Sequence, residues 1–259
     1  MEAPPIQYDV FNGLYGVIRL NRPKKHNAIS ADMTAMLKSI LKRAKDDPIK
    51  CLVITGAGNK TFCAGGDLTQ LHSDLESAEA YKLLSAMKDV LYEIVSFPVP
   101  TICVMNGNAV GGGCELATAC DVRIARSKTQ FGFVQANLGI APGWGGGTIL
   151  YEKVHPSFAY QWLMEGTVYD VDALHQKGWV HHIYDENVQG DFAHLLEDYL
   201  NRSIDQMRML KQQYKRSLCL AELSTHMDED VRACSDLWGS ARHKQAIHAF
   251  KNKHKYNEK

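Results

Sequence analysis

The stretch Asn106–Leu116 has the sequence NGNAVGGGCEL and directly follows the apolar, strand-like segment Thr101–Met105. Glycine lets the backbone turn tightly and approach a ligand closely. A turn of this kind that opens a helix at about Gly112 leaves backbone N–H groups free, and these favour a negative oxygen together with the helix dipole. The stretch therefore predicts an oxygen-binding turn at the end of a strand, with Glu115 in the first turn of the following helix.

Two more glycine-rich segments occur along the chain. Phe62–Leu68, FCAGGDL, follows the strand-like segment Cys51–Thr55, and Gly139–Gly147, GIAPGWGGG, lies further on. Open α/β sheets bind ligands at the carboxyl ends of their strands, so we expect the two loops that follow strands to meet. Two backbone N–H groups from separate loops can form an oxyanion hole for a thioester or ester oxygen. The alternative is that the glycines only make tight turns, since neither a P-loop nor a dinucleotide-binding glycine motif is present.

Apolar strand-like segments alternate with helical patterns in the first 190 residues, which predicts an α/β domain with mostly parallel strands. The predicted strands are Tyr15–Leu20, Cys51–Thr55, Thr101–Met105, Asp121–Ala125 and Trp179–Tyr184, and the predicted helices between them are Ser30–Asp47 and Tyr81–Val95. Later segments have helical spacing only: Asn187–Leu200, Ile204–Ser217, Ala221–Trp238 and Ala241–Lys253. We therefore divide the chain into a core, residues 1–190, and an all-helical C-terminal region, residues 191–259.

The composition excludes several classes of protein. The chain has 259 residues, of which 45% are hydrophobic and 22% charged, and these values argue against disorder. The basic and acidic residues number 29 each, so the net charge is zero. A dedicated nucleic-acid partner is not expected, because such proteins need a basic excess. Any anionic ligand must be bound by a local cluster of cations.

The cysteines and histidines favour neither disulfides nor a metal. The seven cysteines form no C-x2-C pair, and the eleven histidines lack H-E-x-x-H spacing. Five cysteines in apolar context are expected to be buried and reduced: Cys51, Cys63, Cys103, Cys114 and Cys120. The sequence shows no leader-like N-terminus and no apolar run of membrane-spanning length. We expect no membrane partner and a cytoplasmic location.

Four motifs stand in order along the chain: Asn27-Ala28, the Cys63–Leu68 loop, the Gly111–Glu115 run and Gly139–Gly143. In this order they resemble the crotonase (enoyl-CoA hydratase/isomerase) superfamily, over the whole span from residue 15 to residue 255. The resemblance implies a spiral core of ββα units, closed by the C-terminal helical region. It also implies a homotrimer or a dimer of trimers. The implied substrate is an acyl-CoA, and no separate cofactor is expected because coenzyme A is part of that substrate.

The resemblance also implies roles for individual residues. The backbone N–H groups of Gly66 and Gly112 would bind the thioester oxygen, and Glu115 would transfer a proton. The acyl-CoA would contact Lys25, Ala28, Ala64, Gly65, Asp67, Leu68, Thr69, Trp144, Phe250 and Lys253. Cations near Ala28 and in residues 241–259 would meet the phosphates of CoA.

The position of the second hydratase glutamate holds Gln135, which cannot take a proton from water at neutral pH. This difference favours decarboxylation of a substituted malonyl-CoA. The segment around Trp144 and the run Asp236–Gly239 are also similar to the ethylmalonyl-CoA/methylmalonyl-CoA decarboxylase branch. Two alternatives stay open: an enoyl-CoA hydratase or isomerase that uses a single glutamate, and a non-catalytic crotonase-fold binding protein.

Overall fold

The structure is a computed structural model that describes residues 3–71, 74–185 and 191–257, with the side chains described up to residue 249. It has the predicted mixed α/β fold with a helical C-terminal region. No helix in these ranges is both long and apolar enough to cross a membrane. Within the same ranges, no group of three or more His, Cys, Asp and Glu side chains could hold a metal ion.

A six-stranded sheet forms the centre of the fold, with the strand order β1-β2-β3-β5-β7-β10. β1 and β2 are antiparallel, and every later neighbouring pair is parallel. Its strands are β1 (Ile6–Phe11), β2 (Tyr15–Leu20), β3 (Cys51–Gly56), β5 (Thr101–Met105), β7 (Val122–Arg126) and β10 (His182–Tyr184). The five predicted strands are confirmed, although β7 begins one residue later and β10 is shorter. Trp179 and Val180 instead donate their backbone N–H groups to Leu174 at the end of a helix.

A second sheet of four short strands lies beside the first and was not predicted. It has the order β4-β6-β8-β9, with β4 (Thr61–Cys63), β6 (Asn108–Val110), β8 (Gln130–Gly132) and β9 (Val168–Asp170). Each of β3, β5 and β7 continues into one of these strands, and a helix follows the first two pairs. The chain therefore repeats a strand–strand–helix unit that places one strand in each sheet.

Six helices accompany the sheets: α1 (Ala31–Ala44), α2 (Ser77–Val95), α3 (Gly112–Ala119), α4 (Gly146–Tyr151), α5 (Pro156–Glu165) and α6 (Val171–Gln176). Ser30 caps α1 as predicted, since its side chain accepts the N–H of Met33 at 3.4 Å. α2 begins four residues before its predicted start, because Glu76 and Glu79 form a reciprocal capping box there.

The C-terminal helices pack against the core rather than standing apart. They are α7 (Glu197–Leu200), α8 (Ile204–Ser217), α9 (Leu220–Leu237) and α10 (Ala241–Asn257). α9 packs on α2 and α4, and its buried Met227, Val231 and Cys234 belong to the main hydrophobic cluster. The helix predicted over Asn187–Leu200 is wrong in extent: it consists of a 3-10 turn and α7, and residues 187–190 lie outside the described ranges.

Candidate active site

A cavity of about 340 Å³ lies where the loops after β4 and β6 meet the N-terminus of α3. A 3-10 helix, Val134–Leu138, and the segment Ile140–Trp144 form another side, and α9 closes the cavity. Eight predicted site residues line it: Ala64, Gly65, Gly66, Leu68, Gly112, Glu115, Gln135 and Trp144. Among the described residues that line the cavity, Glu115 is the one carboxylate, and none carries a positive charge.

The two glycine-rich loops touch each other because neither carries side chains at the contact. Gly65 has a φ of +91°, and a Cβ there would lie 3.0 Å from the backbone nitrogen of Gly112. A Cβ on Gly113 would lie 2.0 Å from the carbonyl oxygen of Cys63. Any larger residue at these positions would force the loops apart. The contact brings Gly66 and Gly112 to the same cavity, with Gly112 at the first position of α3, where the helix leaves its N–H unused.

The segment around Ala28 runs along the first loop. The N–H of Ile29 donates to the carbonyl of Gly65 at 2.8 Å, and the N–H of Ala64 donates to the carbonyl of His26 at 3.1 Å. Asn27 is fully buried, and its amide donates to the carbonyls of Ala57 and Thr61. These bonds fix the Asn27-Ala28 motif against the glycine-rich loop that follows β4.

Glu115 is 2% exposed and lies on α3, one turn from its start. One carboxylate oxygen accepts the backbone N–H groups of Trp144 and Gly146, each at 2.9 Å, and the other accepts Nε2 of Gln135 at 2.9 Å. Burial raises the pKa of Glu115 to about 7, with the three N–H donors opposing the increase and the Asp230 carboxylate adding to it. Glu115 can therefore gain or lose a proton near neutral pH.

Gln135 and Trp144 frame this carboxylate. Gln135 is 6% exposed; its Nε2 is bonded to Glu115, and its Oε1 has no hydrogen-bond partner among the described residues. Trp144 holds Glu115 through its backbone and covers the glycines with its ring. A Cβ on Gly112 would lie 2.4 Å from that ring, and a Cβ on Gly66 would lie 3.6 Å from it.

The predicted substrate-binding residues Lys25, Ala28, Asp67 and Thr69 do not line this cavity. Asp67 is buried, 2.9 Å from Nη2 of Arg22, and accepts both the N–H and the hydroxyl of Thr69. Burial opposes ionisation of Asp67, but Thr69 and Arg22 bring its pKa below the ordinary value. Arg22 is thus part of the loop's structure, whereas Lys25 is exposed at the surface.

Two predicted contacts with the nucleotide end of CoA, Phe250 and Lys253, lie on α10. Their side chains fall outside the described part of the chain. The five cysteines expected to be buried are buried, as predicted.

Sequence reasoning missed several residues that line the cavity. Leu71, Leu84, Cys234 and Trp238 come from the loop after β4, from α2 and from the end of α9. Cys234 lies beside Gly143, where a Cβ would approach its sulfur to 2.9 Å. Leu84 and Cys234 lie in segments with helical spacing, but this spacing does not show which residues border a cavity.

Comparison with known families gives one match over nearly the whole chain. Residues 12–259 match the family model described as enoyl-CoA hydratase/isomerase. Among curated proteins, the crotonyl-CoA hydratase of Syntrophomonas wolfei is 38% identical over 168 residues, which cover 64% of this chain and 64% of that protein. The mitochondrial methylglutaconyl-CoA hydratase of Mus musculus is 32% identical over 201 residues, which cover 75% of this chain and 64% of the relative. The chain thus spans somewhat less than two thirds of the length of either relative.

Solved structures agree on the fold. The crystal structure of an enoyl-CoA hydratase from Bacillus halodurans superimposes with a TM-score of 0.85 at 20% sequence identity, covering 95% of this chain and all of that one. At this identity the likeness supports the fold alone.

Proposed function

Because the chain belongs to the enoyl-CoA hydratase/isomerase family, we propose that it hydrates or isomerises an enoyl-CoA thioester with Glu115 as its one proton-transfer group. The observation that carries this proposal is the lining of the cavity. Among its described residues, Glu115 is the one carboxylate, and its pKa of about 7 suits a group that both accepts and returns a proton.

In the proposed mechanism, Gly66 and Gly112 stabilise the negative charge that develops on the substrate. The thioester oxygen accepts hydrogen bonds from the backbone N–H groups of Gly66 and Gly112. In hydration, the oxygen of a water bonds to C3 of a 2-enoyl thioester while ionised Glu115 takes a proton from that water. The electrons of the C2–C3 double bond move to the thioester oxygen, giving an enolate held by the two N–H groups. Protonated Glu115 then delivers its proton to C2, which completes a 3-hydroxyacyl thioester.

Isomerisation needs the same groups in a different order. Glu115 removes a proton from C2 of a 3-enoyl thioester, and the enolate again forms between the two glycines. The carboxyl group then returns the proton to C4, and the double bond moves to C2–C3. No water takes part, so a second carboxylate is unnecessary.

The relatives support this reading over decarboxylation, because both are named hydratases. Decarboxylation remains a second candidate on one observation. Gln135 replaces an acid with a neutral amide, and most of the other residues that line the cavity are apolar, so the carboxylate of a malonyl-type thioester would meet no repulsion from Gln135 and little hydration. The C–C bond to that carboxylate breaks, CO2 leaves, and Glu115 as an acid protonates C2 of the enolate; water then restores its proton.

The two candidates predict opposite pH profiles for the free enzyme. Hydration starts from ionised Glu115, so kcat/KM should rise as the pH passes through about 7. Decarboxylation needs protonated Glu115, so kcat/KM should fall over the same range. The experiment incubates the protein with crotonyl-CoA, a 3-enoyl-CoA, methylmalonyl-CoA and ethylmalonyl-CoA, follows products by mass, and records the pH profile of each reaction. CO2 release without hydration or isomerisation contradicts the proposal.

A charge change at Gln135 sharpens the test. In the variant Gln135→Glu, a second carboxylate faces the acyl group, which repels a malonyl-type substrate and has no such effect on an enoyl thioester. We expect the ratio of hydration to CO2 release to rise. The conservative variant Gln135→Asn serves as the control, because it shortens the side chain without adding charge. If no thioester is turned over at all, the non-catalytic alternative gains support.

Some expectations from the sequence remain proposals. They are the binding of CoA phosphates by Lys25 and Lys253, the homotrimeric or hexameric assembly, and the cytoplasmic location. Reversing the charge of Lys25 should weaken acyl-CoA binding more at low salt than at high salt, since the interaction lies at the exposed surface.

A further inference from the structure

The helix whose first N–H group binds Glu115 does not cap itself. α4 begins after Gly145, which has a φ of +78° and offers no capping side chain. A Cβ at this position would also lie 2.8 Å from Cβ of Met227 on α9. α4 has only six residues, and helices of this length need outside partners to be stable. The start of α4 must therefore be fixed by the segments that pack around it.

Asp230 of α9 takes the place of the missing cap. A capping side chain normally accepts the backbone N–H of the second or third helical residue. Thr148 is the third residue of α4, and its N–H donates to Oδ2 of Asp230 at 3.1 Å. The hydroxyl of Thr148 donates to the same oxygen at 2.7 Å. α9 thus leaves no room for a side chain at Gly145 and supplies a carboxylate in its place.

Glu115 depends on the same turn of helix. Its carboxylate accepts the N–H of Gly146, the first residue of α4, and the N–H of Trp144, each at 2.9 Å. A Cβ on Gly146 would lie 2.4 Å from Cβ of Glu115, so this turn and α3 are in close contact. Glu115 lines the cavity of the candidate active site, whereas Asp230 lines a second cavity of about 280 Å³. The two carboxylates therefore bind the start of α4 from different sides.

The charge of Asp230 also acts on Glu115. Burial is the main cause of the raised pKa of Glu115, and the Asp230 carboxylate adds to it. Burial raises the pKa of Asp230 as well, and both bonds from Thr148 oppose that increase. Two exposed neighbours on α9 have smaller effects on the pKa of Asp230: Glu229 raises it and His226 lowers it.

The described part of the chain places further titratable groups around the two carboxylates. Cys114 on α3 and Cys234 on α9 are buried, and burial raises the pKa of both thiols, so they are neutral near pH 7. Tyr151 and Tyr160 line the second cavity. Lys88 of α2 donates to a different carboxylate of α9 at 2.7 Å. Asp230 is thus the charged group with the largest effect on Glu115 in this part of the chain.

We infer that Asp230 is a positioning residue for Glu115: it caps α4 from α9 and places a second negative charge near the Glu115 carboxylate. The inference rests on the proposed function, in which Glu115 is the proton-transfer group, and adds a residue that does not line the active-site cavity. The cap keeps the N–H groups of Trp144 and Gly146 directed at Glu115. The charge favours the protonated form of Glu115.

The variants Asp230→Asn and Asp230→Ala separate the cap from the charge. Asparagine caps helices about as well as aspartate but carries no charge, whereas alanine also removes the acceptor. At pH 8.5, where Glu115 is ionised, Asp230→Asn should keep a kcat close to the wild-type value. In Asp230→Ala, kcat per folded molecule should fall by about 10- to 100-fold with little change in KM, because a displacement of about 1 Å can cost 10²-fold in rate.

A direct titration of Glu115 measures the charge effect without turnover. NMR of protein labelled at the glutamate carboxyl carbons follows the midpoint, and the signal missing in Glu115→Gln gives the assignment. The midpoint should be about 7 in the wild type and lower in Asp230→Asn, because a like charge has been removed. Glu222→Gln is the matched control, since it removes an exposed negative charge from the first turn of α9. It should keep the wild-type midpoint and kcat.

Three results would overturn the inference. They are a normal kcat per folded molecule in Asp230→Ala, a kcat in Asp230→Asn as low as in Asp230→Ala, and a Glu115 midpoint that is the same in Asp230→Asn and the wild type. The last comparison holds even if Asp230→Ala does not fold. Any of these results with an active wild type overturns this inference alone. A wild type that turns over no thioester, together with a lower midpoint in Asp230→Asn, overturns the proposed function and leaves the effect of Asp230 on Glu115 standing.

Discussion

Glu115 in the cavity and Asp121 just before β7 are both shielded from water, yet they are stabilised in different ways. The hydrogen bonds to Glu115 in the described part of the chain all come from neutral amides. Asp121, whose side chain is 9% exposed, instead accepts two bonds from Nζ of Lys211, at 2.7 and 2.5 Å. It also accepts the backbone N–H of Thr101 at 2.8 Å.

More cations surround Asp121, and together they form the Asp121 cluster: Asp121, Arg123, Lys153 and Lys211. Nζ of Lys153 lies 3.9 Å from Asp121 and donates to the hydroxyl of Tyr214 at 2.8 Å. The guanidinium of Arg123 is fully buried and donates to backbone carbonyls. The cluster joins α8 to β7 and to the segment that follows α4.

The difference shows how a buried carboxylate can serve two purposes. Ammonium groups beside a carboxylate link distant segments of the chain, and removing one partner leaves a buried charge uncompensated. Amide donors orient a carboxylate without cancelling its charge, so burial still raises the pKa of Glu115 to about 7. The contrast supports the proposed role of Glu115 in proton transfer, and it indicates that the Asp121 cluster serves the stability of the fold.

The largest expected effect is on turnover when Glu115 loses its acid–base function. Glu115→Gln should lower kcat by about 10²–10⁴-fold, the usual contribution of a positioned proton-transfer group. Steady-state kinetics with the best thioester substrate measures this. Glu165→Gln, at the exposed end of α5, removes the same charge outside the cavity and should keep the wild-type kcat. A Glu115→Gln enzyme with normal kcat would remove Glu115 from the mechanism.

The Asp121 cluster should show the opposite pattern. Asp121→Asn should lower the free energy of unfolding by about 3–5 kcal/mol, because buried lysines lose their counter-ion. Urea denaturation measures this loss, and kcat per folded molecule should be unchanged. Lys38→Met breaks an exposed ion pair with Asp89 and should cost about 1 kcal/mol or less. A stable Asp121→Asn protein with low kcat would reverse the two assignments.

The parts of the fold that could be predicted are those with a regular pattern. The long strands of the central sheet and helices α1 and α2 have clear apolar periodicity. The glycine runs indicated which loops could come close together. The small sheet could not be predicted in this way, because its strands are three residues long and two of them adjoin the glycine loops. Three residues are too few to show an alternating pattern.

The candidate site was predictable where the chemistry resides in a motif. Glu115, Gly66 and Gly112 lie within such motifs, and the structure places all three at one cavity. A local sequence pattern does not show which side chains far apart in the sequence contact each other. The hydrogen bond from Gln135 to Glu115 and the ion pair of Arg22 with Asp67 could therefore be identified only from the structure. Arg22 is one of the cations near Ala28, where the sequence predicts contacts with CoA phosphates, and the structure shows it bonded to Asp67 and to the carbonyl of Ala28.

A smaller effect is expected on the pH dependence of the free energy of unfolding, through the titration of Glu115. Its pKa is raised from 4.5 to about 7. Between pH 4.5 and pH 7, Glu115 is therefore protonated in the folded state and ionised in the unfolded state. The free energy of unfolding should therefore fall by about 3 kcal/mol as the pH rises through this range. Glu115→Gln should lack this decrease, as judged from urea denaturation at pH 4.5, 6 and 8. Parallel curves for the variant and the wild type would contradict the raised pKa.

The smallest expected effect has the opposite sign and belongs to Lys153. Burial lowers the pKa of this lysine to about 7, and the neighbouring Arg123 and Lys211 also lower it, whereas Asp121 opposes the change. Above pH 7 the unfolded state holds a proton that the folded state has released, so stability attributable to Lys153 should increase with pH. Between pH 7 and 8.5 the gain should be about 2 kcal/mol in the wild type and absent in Lys153→Met.

Lys38→Met is the control here as well, because that lysine is exposed and its removal should leave the slope unchanged. Lys153→Met should also lose the bond to Tyr214, which lowers stability equally at each pH and does not alter the slope. A wild-type slope that persists in Lys153→Met would mean that Lys153 stays charged when folded. In that case every buried charge of the Asp121 cluster would be compensated by a counter-ion. The cluster would then differ more clearly from Glu115, whose hydrogen bonds come from neutral amides. Loss of the slope would show instead that even a cluster built on counter-ions contains one group that titrates near neutral pH.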